Sequence, residues 1–219
     1  MPLLSDYEVY IFDCDGVILD SNQLKIEAMK NTLMAHFSDQ NMIEECLEYF
    51  RNNFGKSRFH HVAHFLEKIF MIATKKQSEI ELLILEDFSR QCRTLYISAE
   101  LTPHFTSFVE QCGGKRYVAS GSEQSELRDV FYQRNLDKHF DGIYGSPTPK
   151  TEIIQRIIEQ EQNTNAVMFG DSESDMLSAQ QNAIDFVFYA PFSNVKGKML
   201  EKCKVYQFLI IDDFSTVRF

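Results

Sequence analysis

The sequence lacks a positive charge excess, closely spaced cysteines and any long apolar run, and each absence removes a class of function. A formal net charge of −10 argues against a general electrostatic hold on nucleic acid or anionic lipid, though not against a local basic pocket. The five cysteines, Cys14, Cys46, Cys92, Cys112 and Cys203, form no CxxC pair. An odd, scattered set suits a reducing cytoplasm better than a disulfide framework or a zinc site. The opening MPLLSDYEVYIF has neither the basic region nor the longer apolar segment of a secretory signal, and no stretch approaches membrane-spanning length. The expectation is a cytoplasmic protein, monomer or homodimer, with no nucleic-acid or membrane partner. Repeats, low-complexity tracts and flexible linkers are also missing, so 219 residues point to one substantial domain or one domain with a smaller insert. Against these absences, a hydrophobic fraction of 44% with 19 Phe supplies a real core.

The stretch from Glu8 to Ser21, EVYIFDCDGVILDS, organises the rest. Val9, Tyr10, Ile11 and Phe12 form a short apolar run that stops at Asp13 and Asp15, followed by Gly16. Such a run reads as a buried strand with chemistry at its carboxyl end. Two carboxylates about 4 Å apart repel by roughly 4 kcal/mol at an effective dielectric of 20, so a cation is expected between them or a proton on one. The alternative is a strand ending in a polar Asp-Gly turn.

Apolar residues at spacings of three and four then predict four helices. The first carries Leu24, Ala28, Met29, Thr32 and Leu33, with Ser21 or Asn22 as N-cap. The others run near Met42–Asn52, Phe59–Ala73 and Glu79–Leu95, with a break at NNFGKSR carrying Lys56 and Arg58. Strands return at Arg116–Ala119, Gly142–Tyr144, Ala166–Phe169, Phe186–Tyr189 and Leu209–Ile211. Helices are expected at Glu123–Arg134, from Thr151, and at Asp175–Asn182. Alternating strands and helices specify an α/β protein with a mostly parallel, doubly wound sheet. The helical block after the first strand reads as a cap over the sheet's carboxyl edge. The expected division is a core of 1–17 and 97–219 with a cap of 18–96.

Ligands bind beyond the carboxyl ends of the strands in such sheets. Four strand ends carry polar residues: Asp13 with Asp15, Ser120, Lys150, and Asp171 with Asp175. Together they offer a nucleophile, an acid/base, a hydroxyl, a cation and a further acid. Hard oxygen ligands of this kind suit magnesium with substrate phosphate and water.

These motifs carry a resemblance. DCDGVILDS, Ser120 in VASGS, Lys150 and GDSESD, in that order after the right strands, resemble the four motifs of the haloacid dehalogenase (HAD) superfamily, in its phosphatase branch with a helical cap, along essentially the whole chain. The resemblance implies a Rossmannoid core and a covalent aspartyl-phosphate mechanism. It implies Asp13 as nucleophile and Asp15 as the acid that protonates the leaving oxygen and then activates water. It implies Mg²⁺ held by the Asp13 carboxylate, the Asp15 backbone carbonyl and Asp171, with Asp175 an orienting neighbour. Ser120 and Lys150 would contact phosphoryl oxygens, with backbone amides of Cys14, Asp15 and Gly121 as further donors. A carboxylate at Asp15 disfavours dehalogenation, because halide needs no proton.

In the cap, Gly55–Arg58 resembles a substrate-specificity loop, so Lys56 and Arg58 are candidate substrate contacts, as are Gly121 and Lys25. Lys25 stands where related mutases often carry histidine, which favours a phosphatase. The implied substrate is a small phosphomonoester, a sugar phosphate or phosphoglycolate-like acid. The alternatives are a sugar phosphomutase resembling β-phosphoglucomutase and a non-catalytic binding protein. His60, His61 and His64 have metal-compatible helical spacing but no acidic partner, and read as ordinary cap residues. Cys14 should turn away from Asp13 by strand alternation. Asp212 and Asp213 read as solvated.

Overall fold

A computed structural model describes residues 4–217. Six strands form one sheet in the order β3-β2-β1-β4-β5-β6, with every neighbouring pair parallel. They are β1 (Val9–Phe12), β2 (Lys115–Glu123), β3 (Gly142–Ser146), β4 (Ala166–Gly170), β5 (Asp185–Tyr189) and β6 (Leu209–Ile211). The expected α/β, Rossmannoid architecture with an inserted helical region is therefore present.

β1 lies in the middle of the sheet, hydrogen-bonded on both sides, and all four of its residues are buried. A strand covered on both faces reads as an unbroken apolar run because neither face meets water. Its side chains still alternate between two cores. Tyr10 and Phe12 join Val167, Phe169, Val187 and Tyr189 on one face, while Val9 and Ile11 join Met168, Phe186 and Phe188 on the other. Phe12 anchors the first face: its ring stacks on Phe169 at 5.0 Å and meets Phe105 edge-on at 5.5 Å.

Between β1 and α5 (Phe105–Gln111), the helix that precedes β2, lie α1 (Asn22–His36), α2 (Gln40–Asn52), α3 (Arg58–His64) and α4 (Thr74–Ser98). The third is shorter than its expected span. After His64 the chain loosens into a π-helical turn, Phe65–Ile69, and Met71 takes a left-handed conformation, φ 49°, which ends the helix before Ala73. Leu24, expected on the buried face of α1, is exposed, whereas Asn22 and Lys25 are buried. Ala28, Met29, Thr32 and Leu33 are buried as the periodicity predicts, while the first turn turns Asn22 and Lys25 inward because the site lies beneath it. The chain leaves and re-enters the sheet along a hydrogen-bonded crossing, with Asp20 N donating to Glu100 O at 2.9 Å and Thr102 N to Ile18 O at 3.0 Å.

The remaining helices are α5 (Phe105–Gln111), α6 (Gln124–Gln133), α7 (Lys150–Glu161), α8 (Glu173–Gln181) and α9 (Lys196–Tyr206). α5 and α9 have no counterpart in the sequence reading. α5 is seven residues long, too short to display a helical period. α9 buries only Met199 and Cys203, one contact row rather than an apolar stripe. Cys14 is fully buried in the apolar core, as alternation predicts. Asp213 does more than face solvent: it caps a final 3₁₀ turn by accepting from Ser215 N at 2.6 Å. Among the described residues no helix is long and apolar enough to cross a membrane.

Phe12→Ala removes the ring on which four aromatic side chains converge, and is expected to cost about 3–5 kcal/mol of stability, measured by denaturant unfolding.

Candidate active site

The carboxyl ends of β1, β2 and β4 bring together most of the residues named from the sequence. Asp13 continues β1, its backbone N–H donating to Phe169 O of β4 at 2.9 Å. Asp171 follows β4, and Asp175 lies in the first turn of α8. One oxygen from each of Asp13, Asp171 and Asp175 falls within a 4.8 Å cluster, and all three residues are buried. Lys150 opens α7 and reaches the same place, its Nζ 2.9 Å from Asp13 Oδ1 and bonded to Asp175 Oδ1. Asp175 Oδ2 accepts from Ser172 N at 3.0 Å and Ser172 Oγ at 2.7 Å. Asp175, expected only as an orienting neighbour, is thus a member of the cluster that also positions Lys150.

Three carboxylates around one ammonium leave a buried negative excess. Burial and the Asp175 carboxylate push Asp13 up to about 7, and burial with the same neighbour pushes Asp171 well above the usual carboxylate range. Asp171 Oδ1 has no hydrogen-bond partner, and Asp13 Oδ1, although beside Lys150, receives no directed hydrogen bond. Buried carboxylate oxygens without partners are costly unless a proton or cation meets them. The donor set, all hard oxygens with Asp171 Oδ1 unpartnered and Asp13 Oδ1 met only by the Lys150 ammonium, is compatible with a divalent metal. Asn22 Nδ2 fixes Asp171 from the other side, donating to Oδ2 at 2.6 Å.

Asp15 lies in a different environment although only two residues away. Lys25 Nζ stands 2.9 Å from its Oδ2, Ser122 Oγ donates to that oxygen at 2.9 Å and Ser21 Oγ to Oδ1 at 2.6 Å. Tyr96 OH bridges both oxygens at 3.0 and 3.1 Å. Burial alone would raise this carboxyl, but Lys25 and the hydroxyl donors outweigh it and hold it below its ordinary value. Ser21 is the N-cap of α1, its carbonyl accepting from Lys25 N at 2.9 Å, but its hydroxyl serves Asp15 and caps no helix N–H. Gly16 takes φ +74°, and a Cβ there would lie 2.5 Å from both Asn22 Nδ2 and Asp171 Oδ2, so the turn that follows Asp15 needs glycine.

Ser120 is buried in the extended end of β2, its Oγ accepting from Ser122 N at 3.1 Å. Gly121 meets the cap: a Cβ on it would stand 2.5 Å from Gly55 O. The Gly55–Lys56 segment therefore lies directly on the core. Lys56 itself is exposed, its ammonium bonded to Asn53 Oδ1 at 3.0 Å, outside the cluster. Arg58 is buried and forks onto Glu126 of α6, Nη1 to Oε1 at 2.9 Å and Nη2 to Oε2 at 2.7 Å. Two spaces flank this segment. A groove of about 270 Å³ runs past Lys56, Ser146, Lys150 and Ser174. A small cleft of about 10 Å³ is lined by Lys25, Phe54, Lys56, Arg58, His61 and Ser122, among others.

Sequence reasoning missed Asn22, Tyr96, Ser122, Glu126 and His61 as site neighbours. Ser122 lies two positions after Ser120 in VASGS, on the same side of the strand, which is its signal; Tyr96 and Glu126 lie on ordinary helical spacings that carry none.

The family model for haloacid dehalogenase-like hydrolases matches residues 10–189. The PpaX protein of Caldanaerobacter subterraneus is 24% identical over 182 residues, covering 80% of this chain and 77% of that one. A haloacid dehalogenase-like family protein from Streptococcus pneumoniae superposes with a TM-score of 0.71 at 20% identity, covering 97% of both chains. β-Phosphoglucomutase from Clostridium difficile does so with a TM-score of 0.70 at 16% identity, over 97% of this chain and 94% of that one.

A divalent cation such as Mg²⁺ is expected to raise the melting temperature, by the equivalent of about 2.7 kcal/mol at a hundredfold excess over Kd. Asp171→Asn should abolish that dependence without lowering the melting temperature of the metal-free protein; differential scanning calorimetry measures both.

Proposed function

We propose, from the fact that this chain belongs to the haloacid dehalogenase-like hydrolase family, that it is a phosphatase acting on a small phosphomonoester through an aspartyl-phosphate on Asp13. The observation that carries the reading is the contrast between two neighbouring carboxylates. Asp13 sits in an electron-rich cluster with an oxygen free of directed hydrogen bonds. Asp15 is held by Lys25, Ser21, Ser122 and Tyr96. Environments that differ this much between two acids support different roles for them.

In the first half-reaction an Asp13 oxygen attacks phosphorus, the ester P–O bond breaks and the departing oxygen takes a proton. The Asp15 carboxylate and Lys25 ammonium, 2.9 Å apart, hold the proton that this oxygen requires. In the second half Asp15 removes a proton from the attacking water, the acyl-phosphate P–O bond breaks and Asp13 is restored. Lys150, with Ser120 as a hydroxyl donor, offsets charge on Asp13 and the phosphoryl oxygens. Asp13, Asp171 and Asp175 would hold Mg²⁺ with the Asp15 backbone carbonyl, the metal supplying charge neutralisation between anionic nucleophile and anionic phosphate. Residues 18–96 are proposed as the cap and 1–17 with 97–219 as the core, of which 1–3 and 218–219 lie outside the described residues.

With Mg²⁺ and a phosphomonoester panel, the protein is expected to release inorganic phosphate. Asp13→Asn should lower turnover by roughly 10³-fold or more, and Asp15→Asn by about 10²–10⁴-fold. Isomerised sugar phosphate in place of free phosphate would indicate a mutase, and no activity above the Asp13→Asn background would end the phosphatase reading.

A further inference from the structure

Asn22 opens α1 in the helical insert, yet its side chain reaches the end of a core strand. Named beside Ser21 as an N-cap, it lies one position inside the helix. Its Nδ2 donates to Asp171 Oδ2 at 2.6 Å and to Phe192 O, in the turn after β5, at 2.9 Å. Both amide hydrogens are thus spent on acceptors, one a carboxylate and one a backbone carbonyl. Those two bonds fix which way the amide faces, because Oδ1 in the same place would meet two oxygens with no hydrogen to share. The residue is buried, so water does not compete for either bond.

The bond to Asp171 decides how that carboxylate is presented. Asn22 anchors Oδ2, and Oδ1 is the oxygen left without a partner in a residue that clusters with Asp13 and Asp175. Ser193 Oγ holds the Asp171 backbone carbonyl at 2.6 Å, but Asn22 holds the side chain. A carboxylate free to turn would lose rotamer freedom each time a cation ordered it. Packing leaves no slack, since a Cβ on Gly16 would lie 2.5 Å from Asn22 Nδ2 and Asp171 Oδ2 alike. The start of α1 also serves the other half of the site: Ser21 Oγ and Lys25 Nζ hold Asp15 at 2.6 and 2.9 Å.

We infer that Asn22 is a positioning residue for the divalent-metal site: by anchoring Asp171 Oδ2 it sets metal affinity, and through it bound metal and the seating of α1 stabilise each other. The inference rests on the metal assigned to Asp13, Asp171 and Asp175 within the phosphatase reading, and adds a residue that acts through one of them. Groups that orient a metal ligand from behind are worth about 10–100-fold in affinity. Asn22 belongs to α1 rather than to the sheet, so the coupling runs both ways. Whatever fixes Asp171 on a cation also holds the start of the helix in place.

Metal binding and amide exchange test this without turnover. Isothermal titration of Mg²⁺ compares the wild type with Asn22→Ala and with Asn22→Leu, which fills similar space and donates nothing. Both variants are expected to bind Mg²⁺ about 10–100-fold more weakly. Hydrogen–deuterium exchange by mass spectrometry supplies a readout that a packing role would not move. With Mg²⁺ at about a hundredfold excess over each protein's own Kd, exchange at the start of α1 is expected to slow by up to about 100-fold in the wild type. Asn22→Leu should lose most of that protection although its metal site is equally filled. Unchanged Mg²⁺ affinity in the variants, equal protection of α1 in wild type and Asn22→Leu, or no protection of α1 in the wild type would overturn the inference. The last of these needs no variant to fold. A wild type that binds no Mg²⁺ would overturn the inference together with the metal assignment, whereas Mg²⁺ binding without turnover on any phosphomonoester would count against the phosphatase reading alone.

Discussion

Buried negative charge at the carboxyl ends of β1 and β4 is the constraint from which the site's remaining arrangement follows. Asp13, Asp171 and Asp175 crowd within 4.8 Å with Lys150 as the ammonium among them. Each carboxylate raises the cost of ionising the others, and burial raises it further. The surrounding chain is committed to holding this excess in place. Asp175 is fixed by its own helix N-terminus, Asp171 by Asn22, and Asp13 by the β1–β4 ladder. An arrangement that costs stability and is nevertheless braced on every side is the mark of a site prepared for charge that comes from outside.

The cap side of the same site follows the opposite rule. There every buried charge has a partner within the protein, Lys25 with Asp15 and Arg58 with Glu126. The second pair joins helix α3 of the cap to helix α6 beside the sheet, so this buried ion pair also ties cap to core. The close approach of Gly55 O to Gly121 is its steric counterpart. The site is divided into a floor with an excess of buried negative charge and a cap side where Lys25 and Arg58 are paired with carboxylates.

Much of the floor was legible in the sequence. The run Val9–Phe12 is apolar at every position because the strand is covered on both faces, and the first residue after it, Asp13, is the first polar group it can present. Ala166–Gly170 followed by Asp171 repeats the pattern. Parallel pairing then brings those ends to one edge, which is why residues far apart in the chain are predicted together. Where the local signal was weak the reading failed. α5 is too short and α9 too polar to show a period, and on α1 the polar residues Asn22 and Lys25 face inward while Leu24 faces out.

The cap side was not legible, for a physical reason. Lys25, Lys56 and Arg58 are equivalent in the sequence, three cations on helices and loops of the cap. Folding leaves Lys56 in water, seats Lys25 on Asp15 and drives Arg58 onto Glu126, 68 residues further along the chain. Strand order, the carboxylate motif and the helical insert depend on local apolar patterns that spacing alone records. Which cation is free, which is cancelled and which histidine nitrogen is left unpaired depend on distance and burial in three dimensions, because Coulomb energy is set by separation and surrounding dielectric rather than by position in the chain.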